Sequence, residues 1–240
     1  MRLSGINKTF KGFTIIEILI AIIIIGILVA IIIPRLATRA DLARRRAAES
    51  DIEEIRKAQE HAGIDTGYYY RLYVLDDNPG GDGYGTGNPN DINDGLRDEI
   101  LNQIASNPIR MFISPTTGEM YNDTSAVRIY TKMIENETSF GWQGRYLTWH
   151  KDFNNNDIPD DPWNHDYLFF TEKGLVLEPD GIIVETCSFL PDGTAVSGSS
   201  YNCNKFDRFT ILSLGANGVP GDGGADVNAL GTGDDIFQQW

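Results

Sequence analysis

A single carboxylate, Glu17, sits at the edge of an otherwise uncharged apolar run, Ile18 to Ile33. An unpaired carboxylate in hydrocarbon costs several kcal/mol, so Glu17 implies a partner. Near the opposite end of the chain, Asn217, Asp222, Asp226, Asp234 and Asp235 are interleaved with glycines. Calcium takes six to eight oxygens at about 2.3–2.6 Å from flexible loops, and Gly-spaced Asp and Asn supply such oxygens. The competing reading is a set of acidic turns that only solubilise the surface.

A second oxygen-rich stretch runs from Asp152 to Asp161. Asp152, Asn154 and Asn156 occupy alternate positions, as in the first half of an EF-hand loop, and Asp160 follows. Position six is Asp157 where that loop needs Gly, and position twelve is Trp163 rather than Glu, so a polar turn is the alternative. The three histidines, His61, His150 and His165, belong to no H-E-x-x-H pattern, and the chain has neither G-x-S-x-G nor a phosphate loop. Gly81, Gly83 and Gly85 follow no convincing strand and open no helix. No enzymatic activity is expected.

The elements that position these groups can be read from the pattern. Phe13 to Ile33 is 21 residues, about 31 Å of helix at 1.5 Å per residue, enough for a bilayer core. Leu36, Ala40, Ala43, Ala47, Ile52 and Ile55 continue a ragged helical stripe. Arg45–Glu49 and Glu53–Lys57 are opposite charges at i,i+4. The spacing predicts one helix from Phe13 to about Ala62, with Gly63 as its stop and a kink or local melting between Gly26 and Pro34. A Gly/Asn/Asp/Pro loop from Asp76 to Asp94 and a short helix from about Ile92 to Ala105 come next. Strands are expected at Tyr167–Thr171, Leu175–Leu177, Ile182–Cys187 and Phe206–Leu214, with short connections that favour antiparallel pairing. The fold class is α+β: a long N-terminal helix and a head with an antiparallel sheet. Cys187 and Cys203 lie sixteen positions apart. In an oxidising compartment they close a loop, worth about 3 kcal/mol in the chain-entropy model, and otherwise they are two buried thiols. Neither has zinc-ligand spacing.

The N-terminus, with Arg2, Lys8 and Lys11 ahead of Gly12, Phe13 and Glu17, resembles the leader of type IV prepilins and of type II secretion pseudopilins. An ordinary secretory signal places its cleavage site after the apolar region, not before it. The resemblance implies cleavage between Gly12 and Phe13 by a prepilin peptidase and N-methylation of Phe13. The chain then divides into a leader, 1–12, a transmembrane and assembly helix, 13–33, its amphipathic continuation, 34–63, and a head, 64–240. Losing the leader leaves 17 basic against 34 acidic side chains, a formal −17. That excess argues against nucleic acid as a partner. Arg35, Arg39 and Arg44 to Arg46 follow the span, so the positive-inside rule alone favours the opposite topology. Processing at Gly12 requires a cytoplasmic N-terminus, which places the head outside the cytoplasm.

Farther along, Gly144-Arg145-Tyr146-Leu147 and Asp161-Pro162-Trp163-Asn164-His165-Asp166-Tyr167 resemble the G-x-Y-L and D-P-W-G-N-P-Y segments of the major type II secretion pseudopilin. Ser213 to Gly218 resembles its S-L-G-A-D-G, and Asp234-Asp235-Ile236 with Trp240 resembles its D-A-D-I and terminal Trp. That family implies a calcium ion in this loop. Leu214 and Val219 would give backbone carbonyls, Asn217 replaces the loop aspartate, and Asp234 and Asp235 fill the final acidic motif. Asp222 could contribute as well. A competing register puts Asp226 on the final motif. The implied function is a structural subunit that polymerises into a type II secretion pseudopilus, with Glu17 paired to the N-terminus of Phe13 in a neighbouring copy. Its implied partners are copies of itself, the inner-membrane assembly platform and minor pseudopilins. The alternatives are a type IV pilin of an adhesion or motility fibre, and a monomeric membrane-tethered binding module.

Overall fold

A computed structural model describes residues 13–75, 112–121, 141, 146–148, 158–177, 181–190, 193–224 and 226–240, with the backbone alone at 34, 35, 37 and 73. The chain divides into two compact units, residues 1–43 and 44–240. Helix α1, Ile15–Thr66, begins in the first and ends in the second.

In the first unit the large apolar side chains from Ile15 to Ile33 are 45–87% exposed. An 18-residue window here has mean hydropathy 3.4 and no buried residue, so α1 is long and apolar enough to cross a membrane. The backbone stays helical through Gly26 and Pro34, and the melting expected there is absent. Proline removes one intrahelical donor, but α1 continues through it.

In the second unit α1 runs four residues past the expected end. Gly67, at φ +85°, is the left-handed stop, and its N–H donates to the Gly63 carbonyl at 2.9 Å. Gly63 lies inside the helix, where a Cβ would come within 2.6 Å of the Tyr69 ring.

Beyond the helix, β1 (Tyr69–Tyr70) pairs antiparallel with β2 (Phe112–Ile113). A five-stranded antiparallel sheet is formed by β3 (Leu168–Thr171), β4 (Gly174–Leu177), β5 (Ile182–Val184), β9 (Thr210–Ser213) and β10 (Ile236–Gln239), in the order β10-β9-β3-β4-β5. A three-stranded sheet joins β6 (Thr186–Phe189), β7 (Ala195–Ser197) and β8 (Tyr201–Asn202), with β6 central.

Side-chain alternation assigns the two faces of the larger sheet to different cores. Phe169, Val176 and Ile211 point into one core with Ile52, Ile55, Ala58 and Ala62 of α1. Phe170, Leu175, Leu177 and Leu212 point into another, with Phe206, Leu230 and the buried Cys187 and Cys203. The central strands β3, β4 and β9 are therefore buried at every position. They read as unbroken apolar runs for that reason, as expected of a sheet covered on both sides.

Two strand assignments change. The run Ile182–Cys187 is not one strand: it breaks at Glu185, with β5 in the larger sheet and β6 in the smaller. The Glu185 carbonyl accepts from the backbone N–H groups of Cys203 and Asn204, at 2.8 and 3.1 Å, and this turns the chain. Within Phe206–Leu214 only Thr210–Ser213 is strand, because Phe206 and Phe209 are drawn into opposite cores. The helix expected at Ile92–Ala105 lies outside the described residues.

Candidate functional site

At the N-terminal end, Thr14 precedes the first helical residue and Glu17 sits in the first turn. The Thr14 hydroxyl accepts from the Glu17 N–H at 3.3 Å, and one Glu17 carboxylate oxygen accepts from the Thr14 N–H at 2.8 Å and from its hydroxyl at 2.9 Å. This reciprocal capping box satisfies helix-end donors that hydrocarbon could not. The Thr14-x-x-Glu17 spacing signals it in the sequence, although the carboxylate alone drew attention there. Phe13 is 86% exposed, and Gly12 lies outside the described residues. Pro34 is helical in backbone.

At the C-terminal end, a short 3-10 turn, Gly215–Asn217, follows β9, with buried Leu214 before it. Asp234 caps this turn: one of its carboxylate oxygens, Oδ2, accepts from the N–H groups of Ala216 and Asn217 at 2.9 and 3.2 Å. Asp235 lies one residue ahead of β10 and is buried. Its Oδ2 accepts from the N–H groups of Gly221 and Gly231 at 3.1 and 2.8 Å. Burial pushes the Asp235 carboxyl up to about 6, against the pull of those amide bonds. The Asp222 carboxylate lies against Gly233. The structure thus brings Asn217, Asp222, Asp234 and Asp235 into one set of interlocked turns.

Asn217 closes its own turn. Its side-chain oxygen accepts from the Val219 N–H at 2.9 Å, and its amide donates to the Gly221 carbonyl at 2.6 Å. An aspartate could not make the second bond, which gives the departure from the resembled pattern a local reason. Asp226 is exposed and accepts from the Asn228 N–H, two residues on, at 2.9 Å.

The donor chemistry of this turn suits calcium. Asp234 and Asp235 each keep one buried carboxylate oxygen, Oδ1, that has no hydrogen-bond partner. A buried carboxylate oxygen without a donor is costly, and a hard cation would satisfy it. Among the described residues no group of three or more His, Cys, Asp or Glu converges as in a metal centre. Backbone carbonyls would therefore have to complete a shell here.

A neighbouring anchor is built on the segment Asp161 to Tyr167. Asp161 is fully buried, with one oxygen accepting from the N–H groups of Trp163 and His165 at 2.8 and 3.0 Å, and the other from the Ser213 hydroxyl at 2.6 Å. Burial pushes its carboxyl up, and these bonds pull it back. The His165 ring rests against Gly193 and Gly218, with Nδ1 3.1 Å from the Gly215 carbonyl. Asp161 and His165 thereby anchor the 3-10 turn to the loop before β3. Asp160 is buried and bridges Asp166 in an antiparallel pair, while Asp152, Asn154 and Asn156 lie outside the described residues. Cys187 and Cys203 form a disulfide, Cα to Cα 5.9 Å, that ties β6 to the segment after β8.

The apolar span and its capped start decide the comparison with known proteins. Residues 7–33 match the prokaryotic N-terminal methylation motif. The chain is also similar to the type II secretion system core protein G of Pseudomonas aeruginosa, at 37% identity over 59 residues. That stretch is 25% of this chain and 42% of the relative, so the chain spans less than half the length of the curated protein it matches. No solved structure matches the chain.

Proposed function

We propose that this protein is the structural subunit of a type II secretion pseudopilus, polymerising through α1 to help move proteins out of the cell. The observation that supports it most is the conjunction of a methylation motif over residues 7–33 with an apolar helix half whose large side chains are all exposed. Such a surface is stable only in hydrocarbon or against other copies of itself. Before assembly the helix anchors the chain in the inner membrane with the head outside the cytoplasm. After assembly Ile16, Ile20, Ile24 and Leu28 pack against neighbouring helices. Prepilin peptidase, the inner-membrane assembly platform and minor pseudopilins are the partners this reading requires. The role is non-enzymatic.

The acidic turn is the proposed calcium site. Asp234 and Asp235 would hold the ion, with Asp222, the Asn217 side chain and the carbonyls of Leu214 and Val219 completing its shell. Bound calcium would supply the charge that those carboxylates lack, locking β9 to β10. The orphaned oxygens of Asp234 and Asp235 favour this register over the one through Asp226.

Native cells decide the main reading. Intact mass and N-terminal peptide analysis of the protein from its own membrane are expected to give N-methyl-Phe13 as the first residue, and shearing is expected to release filaments. Protein that keeps Met1 beside an active prepilin peptidase, or a chain that never polymerises, overturns it. Filaments retained in a strain without secretion genes nearby would redirect the reading to an adhesion or motility pilin.

A further inference from the structure

We propose that Arg44, Arg45 and Arg46 form a basic band around α1 that docks on Glu49 and Glu54 of further copies of this chain. The inference rests on the filament reading above and names one of its contacts. The three arginines are consecutive, exposed and helical, and make no ion pair or hydrogen bond among the described residues. Between Glu49 and Glu60 the other charges of α1 are already engaged, whereas Asp41, ahead of the arginines, is exposed and makes no ion pair among the described residues. Arg56 bridges Glu53 and Glu60, Lys57 reaches Glu53 at 3.2 Å, and Asp51 accepts from the Tyr167 hydroxyl. Glu49 and Glu54, also exposed, have no such partner among the described residues. The Arg45–Glu49 pair expected at i,i+4 is not formed; Arg ahead of Glu is the weaker order for such a pair.

Arg45 and Glu54 lie nine residues apart on opposite sides of α1 and cannot meet within one chain, and no intrachain pair with Glu49 forms among the described residues. Parallel helices staggered along their axes bring the arginines of one copy beside the glutamates of the next. This contact is heterologous, so it propagates rather than closing into a dimer. Membrane phosphates are the competing occupant. Arg44 comes eleven residues after Ile33, roughly 16 Å of helix, whereas the headgroup layer on each side is only about 5–8 Å deep. Arg35 and Arg39 fall within reach of that layer; Arg44 to Arg46 do not.

The test uses the full chain in its native membrane. Arg45→Cys and Glu54→Cys chains are co-expressed and treated with a short bismaleimide. The native cysteines are buried in their disulfide and do not compete. Dimers are expected from the mixture and not from either variant alone. In a second arm, Arg44→Glu, Arg45→Glu and Arg46→Glu together lower sheared-filament yield at least tenfold, and adding Glu49→Arg and Glu54→Arg restores most of it. Wild-type filaments that give no cross-link in the mixture overturn this contact and leave the filament reading standing. A triple variant that assembles normally but washes out of anionic vesicles also overturns it, in favour of lipid. Absence of filaments from the wild-type chain fails the underlying reading instead.

Discussion

Glu17 caps α1, and the proposed function gives it a second duty that can be separated from the first at one atom. Its carboxylate completes the capping box with Thr14, and the assembly proposal gives its charge to a neighbour's N-terminus. A buried ion pair of this kind adds register more reliably than net stability, since both charges must be desolvated. Glu17→Ala is expected to leave membrane insertion intact while sharply lowering sheared-filament yield. Glu17→Gln keeps a capping-box side chain and loses only the charge. It is expected to fail as Ala does, and wild-type yield from the Gln variant would show that the cap alone is needed. A second residue-scale prediction concerns pH. Hydrogen bonds from Arg56, and then from Gln238 and Lys57, hold the Glu53 carboxyl down at about 2. A depressed carboxylate contributes stability that is present above its unfolded value of about 4.5 and is lost as pH falls through about 2. Glu53 is only half-buried, so solvent screening keeps the effect small. Between pH 4.5 and 2 the melting temperature of Glu53→Gln should fall less than that of the wild type, and parallel curves would rule out this tether.

At the scale of elements, α1 carries two unrelated surfaces. Its second half buries Ile52 and Ile55 against Phe169, Val176 and Ile211, while its first half buries nothing in the single chain. Ile52→Ala should cost the head about 2–5 kcal/mol by the usual large-to-small penalty, read by chemical denaturation. Ile24→Ala should leave head stability unchanged and reduce assembly. Equal denaturation midpoints for Ile52→Ala and wild type would contradict the packing described. The three-stranded sheet is short, and its hold on the larger sheet depends on the second core around the Cys187–Cys203 disulfide. Serine at both cysteines removes a sixteen-residue loop closure, worth about 3 kcal/mol. The loss should appear as a lower midpoint without dispersal of the helix-side core.

For the molecule as a whole, the acidic turn sits where β9, β10 and the loop before β3 meet. A ligand bound only by the folded state stabilises it by about 2.7 kcal/mol at a hundredfold excess over Kd, or roughly 5–10 °C in Tm for a head of this size. A head fragment made without Met1 to Ile33 keeps both cores. It should melt that much higher in calcium than in chelator, with magnesium a poor substitute because of its tighter octahedral shell. Alanine at Asp234 and Asp235 should erase the shift. Alanine at Asp226 should leave it, and the reverse pattern would select the other register. A Tm indifferent to calcium, with no metal by elemental analysis, would leave these residues as structural caps.

The sequence by itself determined what depends on short-range pattern. Lys11-Gly12-Phe13 and Glu17 marked the start of an apolar helix, and residues 7–33 do match the methylation motif. Apolar runs located β3, β4 and β9 because strands covered on both faces lose their alternation. Cysteine spacing allowed a loop closure without deciding it; only the packing of β6 beside the β8 segment brought Cys187 and Cys203 together. Tertiary structure alone decided the rest, since each case depends on groups distant in the chain. The Tyr69 ring leaves no room for a side chain at Gly63, and Glu185 divided one apolar run between two sheets. Asp161, in a Pro-Trp turn, became a buried anchor for Ser213, fifty-two residues away. Aspartates that look alike in sequence took different roles for the same reason. Asp226 bonds only to its own turn, whereas Asp235 was carried into the interior by the return of β10 alongside β9.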